Sequence, residues 1–228
     1  MTNLKKKIIY LSLIVSLFAI VSVRGTLSYF SDRETKDNTF TLGNVDITLT
    51  EPQWDKTEKK LLIPGIIIPK DPTITLSDDS QEAFIFFDMQ LPEGKQLLTM
   101  MGQWYDHESK EYTFDNAENF LNELLADSEM RRTVVDAWFL GISHENWKIM
   151  NKPTIKADNS LDIRLGYQGG TLSAGESTTF MNSFTFPKNV TTKMIPNDLS
   201  ILNMNFTAYA IQKIAIDSLD QAYTLLFN

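Results

Sequence analysis

Short runs of alternating apolar and polar residues, closed by turns rich in glycine and proline and never linked in a strand–helix–strand rhythm, predict an all-β chain with minor helical excursions. The architecture that fits such a series is an antiparallel, jelly-roll-like β-sandwich. Only two stretches switch from a two-residue to a helical period, and both read as additions to the sandwich.

In chain order, Phe40 and Leu42 lie on one parity, and Val45, Ile47 and Leu49 on the other, with Gly43 and Asn44 between them. A bulge at that glycine would bring both sets to one core face and leave Asp46 and Thr48 outward. In LLIPGIIIPKDPTITL, residues 61–76, Pro64, Pro69 and Pro72 suit edges and turns, because proline cannot donate to a central ladder. Ile74 and Leu76 open a further strand that ends at Ser77, Asp78, Asp79 and Ser80. The dense run AFIFFDMQL, Ala83 to Leu91, closed by Pro92, Glu93 and Gly94, predicts a central strand buried on both faces.

Residues 115–127 follow a helical period. Asp115 and Glu118 form a capping-box pattern, and Phe120, Leu121, Leu124 and Leu125 make one apolar face. A second helical piece is expected over 128–137, both pieces packing on one end of the sandwich. Short strands follow at 138–142 and 147–150. Leu161, Ile163, Leu165 and Tyr167 then alternate with Asp162, Arg164 and Gly166 up to Gln168, Gly169 and Gly170. Phe180, Phe184 and Phe186 share a parity that stops at Pro187. Leu202, Met204, Phe206, Ala208 and Ala210 alternate with Asn203, Asn205 and Thr207. Ser218 and Gln221 form a capping box that opens a last helix carrying Ala222, Leu225 and Leu226.

The first residues read as an export signal. Lys5, Lys6 and Lys7 precede an uncharged, mostly apolar stretch over residues 8–23. As a helix it would rise about 24 Å, short of the roughly 30 Å hydrocarbon core of a bilayer. Thr26 and Ser28 then supply small residues at −3 and −1 for cleavage between Ser28 and Tyr29; an uncleaved anchor is the alternative. The expected organisation is a signal at 1–28 and a single jelly-roll-like domain at 29–228, with 98–160 as a partly helical insertion.

Residues 1–28 hold four of the 21 Lys and Arg and none of the 29 Asp and Glu. The chain from Tyr29 therefore carries 17 basic and 29 acidic side chains, a net charge of −12. Such a balance disfavours nucleic acid and anionic membrane as partners after cleavage. With no cysteine, disulfides, thiol catalysis and thiolate metal sites are excluded, and stability must come from the core, a ligand or assembly.

No pattern calls for a cofactor. The two histidines lack the spacing of a zinc peptidase helix: four residues after His107 stands Glu111, and four after His144 stands Lys148. The sequence has no Gly-x-Ser-x-Gly elbow, and Gly169 and Gly170 lack the lysine and helix of a phosphate loop. Asp78 with Asp79, and Asp158 with Asn159 and Ser160, read as solvated turns rather than calcium loops. Trp54, Trp104, Trp138 and Trp147 follow no common strand period, which favours core and rim packing over a glycan platform.

Several pieces together resemble the TasA/camelysin family. These are GTLSYFSD at 25–32 followed by NTFTLGNVDITL at 38–49, Pro64 and Gly65 with KDPT at 70–73, LSAGESTTF at 172–180 with FTFP at 184–187, and AYAIQ at 208–212 with DSLDQA at 217–222. The resemblance touches both ends of the chain. It implies a jelly-roll fold, a signal removed by a SipW-type signal peptidase, and secretion to the extracellular matrix or cell surface. It also implies self-association into biofilm fibres, with other matrix proteins as further partners. Assembly in that family implies an N-terminal donor strand, which falls here on 29–39, with Tyr29, Phe30, Ser31, Asp32, Arg33, Glu34 and Thr35 as its leading residues. An extended segment of this kind can bond an open sheet edge while Tyr29 and Phe30 fill apolar pockets. The alternatives for the segment are a flexible N-terminus or a strand folded back on its own sheet.

Camelysin-like members are classed as metallopeptidases. A site built from His107, His144 and nearby carboxylates is the enzymatic alternative, and a monomeric adhesin binding glycan through tryptophan is another. The zinc spacing is missing, so the expectation is a non-enzyme with no catalytic, cofactor or metal residues.

Overall fold

The computed structural model describes residues 31–35, 38–40, 45–54, 63–105, 116–190 and 203–228. Within them the chain is built mostly of antiparallel strands with four helices. The strands are β1 (Ser31–Thr35), β2 (Asn38–Phe40), β3 (Ile47–Thr50), β4 (Ile67–Pro69), β5 (Thr73–Leu76) and β6 (Ala83–Leu91). The helices α1 (Gly94–Tyr105), α2 (Ala117–Ala126) and α3 (Ser128–Trp138) follow. Then come β7 (Phe139–Leu140), β8 (Trp147–Ile149), β9 (Thr154–Ile155), β10 (Leu161–Tyr167), β11 (Ser177–Thr179), β12 (Ser183–Thr185), β13 (Asn205–Gln212) and α4 (Leu219–Phe227).

The large sheet has seven strands in the order β2-β1-β13-β6-β10-β8, with β9 also on β10. Two three-stranded sheets, β11-β5-β3 and β4-β12-β7, accompany it. The run AFIFFDMQL is central, as its composition predicts: β6 pairs with β13 over eight residues, Asn205 to Gln212, and with β10 on its other side. The proline-bounded Ile67–Pro69 strand lies at a sheet edge, where a missing donor costs nothing.

Alternation along β6 assigns its side chains to two cores. Ile85, Phe87 and Met89 join the main core with Phe206, Ala208 and Ala210 of β13, Val45 and Ile47, Ile74 and Leu76 of β5, and Phe184 of β12. Phe87 is fully buried, its ring 5.1 to 5.9 Å from those of Phe180, Phe206 and Trp147. Phe84 and Phe86 face the opposite way and join Ile211, Ile216 and Ala222 under α4. From Ala83 to Phe87 neither face of β6 meets water, so that stretch has no place for polar alternation and reads as a continuous apolar run.

β6 ends with two polar residues on the α4 parity, the exposed Gln90 and the half-buried Asp88. Asp88 takes a bidentate ion pair from Arg164 of β10, Nε to Oδ1 and Nη2 to Oδ2 both at 2.6 Å. The guanidinium carbon lies 3.6 Å from the Phe227 ring centroid. The hydrogen bonds that Arg164 donates to Asp88 hold the Arg164 pKa above its ordinary value, against the opposing pull of burial. Gly166, two residues on, permits close approach here: a Cβ would meet Met150 Sδ at 2.7 Å and Leu219 Cδ2 at 2.9 Å. The helix itself is capped as its sequence predicts, the Ser218 hydroxyl accepting from Gln221 N–H at 3.2 Å and Gln221 Oε1 from Asp217 N–H at 2.9 Å.

Several expectations require correction. Gly94 does not merely close a turn but starts α1, a twelve-residue helix that the pattern reading placed nowhere. Its absent side chain is the reason: a Cβ would lie 2.3 Å from Cβ of Leu161, so only glycine lets the helix start press on β10. Trp138 ends α3 instead of opening a strand. The phenylalanines 180–186 do not form one strand: the chain leaves β11 on β5 and re-enters as β12 between β4 and β7. The expected bulge at Gly43 and the cap at Asp115 lie outside the described residues. Asn116 holds the N-cap position of α2 without a side-chain hydrogen bond to the helix, whereas Asp127 Oδ1 caps α3 through the N–H groups of Glu129 and Met130.

Replacing Arg164 by Met leaves the half-buried Asp88 carboxylate unpaired and should cost about 2 kcal/mol in urea unfolding. The double variant Asp88→Leu/Arg164→Met should recover part of that loss. Strictly additive single and double variants would show the pair to be energetically idle.

Candidate functional site

Two features of the fold have functional potential: the edge where the chain's first described strand is seated, and a large apolar cavity on the helical side of the main sheet.

β1 pairs with β13 in antiparallel register, Ser31 opposite Ile211, Asp32 opposite Ala210, Arg33 opposite Tyr209, Glu34 opposite Ala208 and Thr35 opposite Thr207. On its other side, Arg33, Glu34 and Thr35 pair with Phe40, Thr39 and Asn38 of β2. The predicted donor segment is therefore a strand over Ser31–Thr35, and in the single chain it lies on its own sheet. Ser28, Tyr29 and Phe30 lie outside the described residues. The sequence of β1, SDRET, has no apolar residue, and its ladder with β13 runs over five residues. β13 is different: Phe206, Ala208, Ala210, Ile211 and Gln212 are buried. Without β1 its outer N–H and C=O groups would form an unpaired edge.

The cavity, about 1040 Å³, lies between the helices and the face of β6, β10 and β8 that looks into the main core. Met89 and Leu91 of β6, Leu161, Ile163 and Leu165 of β10, and Trp147 and Ile149 of β8 form one wall. Leu97, Leu98 and Met101 of α1 and Leu121, Leu124 and Leu125 of α2 form the other. Trp147 is 7% exposed, and its indole N–H has no acceptor among the described residues. The exposed side chains that line the cavity are Ser128, Glu129 and Arg132 of α3, Asn151 and Lys152 after β8, and Gln168 after β10.

Most cations near the cavity are already engaged. Arg131 Nη1 donates to the carbonyls of Leu124 and Leu125 at 2.8 and 3.2 Å, closing the end of α2. Lys148 pairs with Asp220 at 2.6 Å. Asp136 receives Arg132 Nε at 3.7 Å and lies 2.6 Å from His144 Nε2. Lys152 is exposed and has no partner among the described residues.

Residues singled out from sequence fare differently. His144 pairs with Asp136, and His107 lies outside the described residues. Among the described residues no three His, Asp or Glu side chains gather as a metal could require. The turn at Asp158 is self-contained, its Oδ1 accepting from Ser160 N–H at 3.0 Å and from the Ser160 hydroxyl at 2.7 Å. None of the four tryptophans is exposed: Trp138 and Trp147 are buried, Trp54 lies under Lys70 Nζ at 4.1 Å, and Trp104 Nε1 donates to Asn189. Lys70 itself is buried in an ion pair with Glu51 at 2.6 Å, which fixes the chain beyond β3.

The cavity escaped the sequence reading because its walls come from segments up to 90 residues apart. One signal for it existed: Leu97, Leu98 and Met101 recur at helical spacing just after Gly94. Comparison with protein-family models, with curated proteins and with solved structures finds no match to this chain.

If main-chain bonds alone hold β1, its amides should exchange with deuterium well before those shared by β6 and β13, in native-state exchange followed by mass spectrometry. Equal protection of β1 and β6 would show that the two strands open only together.

Proposed function

We propose that this chain is a secreted structural protein, a fibre subunit of a biofilm or extracellular matrix, whose fold is a jelly-roll-like sandwich. The observation that carries the reading is the pairing of an apolar-free first strand with the buried β13. The five pairs from Ser31 with Ile211 to Thr35 with Thr207 are as good between two chains as within one. Exchange therefore conserves the bonds, and concentration decides between a closed monomer and a chain of subunits.

In this reading, export ends with cleavage between Ser28 and Tyr29 by a SipW-type signal peptidase, which frees the segment 29–39. Ser31 to Thr35 then supply the main-chain ladder on a neighbour's β13, while Tyr29 and Phe30 enter apolar pockets beside it. Each subunit gives one strand and receives one, a head-to-tail contact that does not close and so propagates as a filament. Support comes from three directions: the resemblance of both chain ends to the TasA/camelysin family, the acidic cysteine-free composition, and a fold of mostly antiparallel strands in three sheets. The role is structural, with no catalytic residues assigned.

Purified secreted protein should form filaments visible by negative-stain electron microscopy, and a chain lacking residues 29–39 should remain monomeric while keeping its far-ultraviolet β signature. Filaments that persist after the deletion would sink the exchange mechanism. Loss of the β signature in the truncated chain would be resolved by adding the 29–39 peptide, which should restore the fold and cap growth.

A further inference from the structure

We propose that the cavity between α1–α3 and the main sheet binds a single-chain fatty acid, with the acyl chain inside and the carboxylate at the mouth. The inference is independent of fibre assembly, since no residue of β1 or of the outer edge of β13 lines this space.

The volume, about 1040 Å³, is at the upper end of the roughly 300–1,000 Å³ typical of small-molecule sites. The deep walls of the cavity, from Met89, Leu97, Leu161, Leu165 and Phe180, are buried and carry no charge, so they suit a hydrocarbon chain and reject a polar ligand such as a sugar or nucleotide. The opening is different in kind. In a chain with eight more acidic than basic residues, the side chains lining the cavity include Arg131, Arg132, Lys148 and Lys152 against a single carboxylate, Glu129.

Local pairs sort these cations. Arg131 is spent on carbonyls, and Asp220 neutralises Lys148 from outside the lining. Arg132 is held only loosely, 3.7 Å from an Asp136 that His144 also engages. Lys152 remains, exposed and unpaired among the described residues, with Arg132 as the second available donor. One unpaired ammonium and one loosely held guanidinium around an apolar mouth match a single anionic head group. They match a neutral lipid poorly. Because Lys and Arg bear on the mouth through flexible stems, the head group can settle at the surface while the chain is buried.

The test is calorimetric titration of the purified chain with octanoate, decanoate and laurate below their micelle concentrations, beside dodecanol and phospholipid vesicles. One-to-one binding is expected, tightening about ten- to fifteen-fold for each added pair of methylenes. Laurate should bind more tightly than dodecanol, and Lys152→Glu should weaken laurate about five- to ten-fold while leaving dodecanol unchanged. Ile163→Trp, which fills the cavity from β10, should abolish uptake; if that variant does not fold, the chain-length series and Lys152→Glu decide alone. Absence of saturable uptake would overturn the proposal, as would equal affinity for octanoate and laurate. Indifference to the head group and to Lys152→Glu would overturn the assignment of the mouth. Binding to vesicles alone, without uptake of free laurate, would instead mark a membrane-facing surface, and self-association abolished by Ile163→Trp would assign the face to a second copy.

Discussion

β13 carries the buried Phe206, Ala208 and Ala210 on its core face, and the backbone groups on its outer edge need a strand to meet them. That requirement governs the architecture around it. On the inner side, β6 satisfies the ladder over eight residues and carries the aromatic centre of the main core. On the outer side, the ladder is completed by β1 over five residues, Ser31 to Thr35. The inner pairing is consolidated by side-chain burial, on the core face throughout and on the other face at Ile211. The proposed exchange starts from this difference between the two neighbours of β13: eight paired residues on β6 and five on β1.

The helical layer follows from a second constraint. β10 continues the sheet beyond β6, and Leu161, Ile163 and Leu165 on its inner face need cover that the small sheets do not supply. α1 approaches β10 only because Gly94 has no side chain to collide with Leu161. The cover is incomplete, and the cavity lies where α1, α2 and α3 stand away from β10 and β8. On the opposite face, α4 seals the sheet through Phe227, Tyr223 and Ala222, with Arg164 held between Asp88 and the Phe227 ring.

What was legible in the sequence follows from locality. β5, β10 and β13 were readable because their apolar residues alternate, and β6 because its apolar run is unbroken from Ala83 to Phe87. The cap of α4 was readable because Ser218 and Gln221 act within one turn. α1 was not, since Pro92, Glu93 and Gly94 have the composition of a turn, and the glycine's reason is a contact with Leu161, 67 residues away. The split between β11 and β12 was hidden because Phe180, Phe184 and Phe186 are all buried, and parity does not reveal which sheet buries them. β1 has no apolar period at all, and its partner Ile211 lies 180 residues on. The family resemblance drew attention to that segment; the strand pairing gives it a physical partner.

The most direct test uses the absence of cysteine in the chain. Thr35→Cys with Thr207→Cys places two thiols at facing positions of β1 and β13. In isolated monomers, oxidation should give a closed chain that runs as a single species without reductant. In filaments grown before oxidation, it should give a ladder of covalent multimers that collapses on reduction, because each β1 then sits on a neighbour's β13. Filaments that yield only closed single chains would contradict strand exchange and place the assembly contact elsewhere on the molecule.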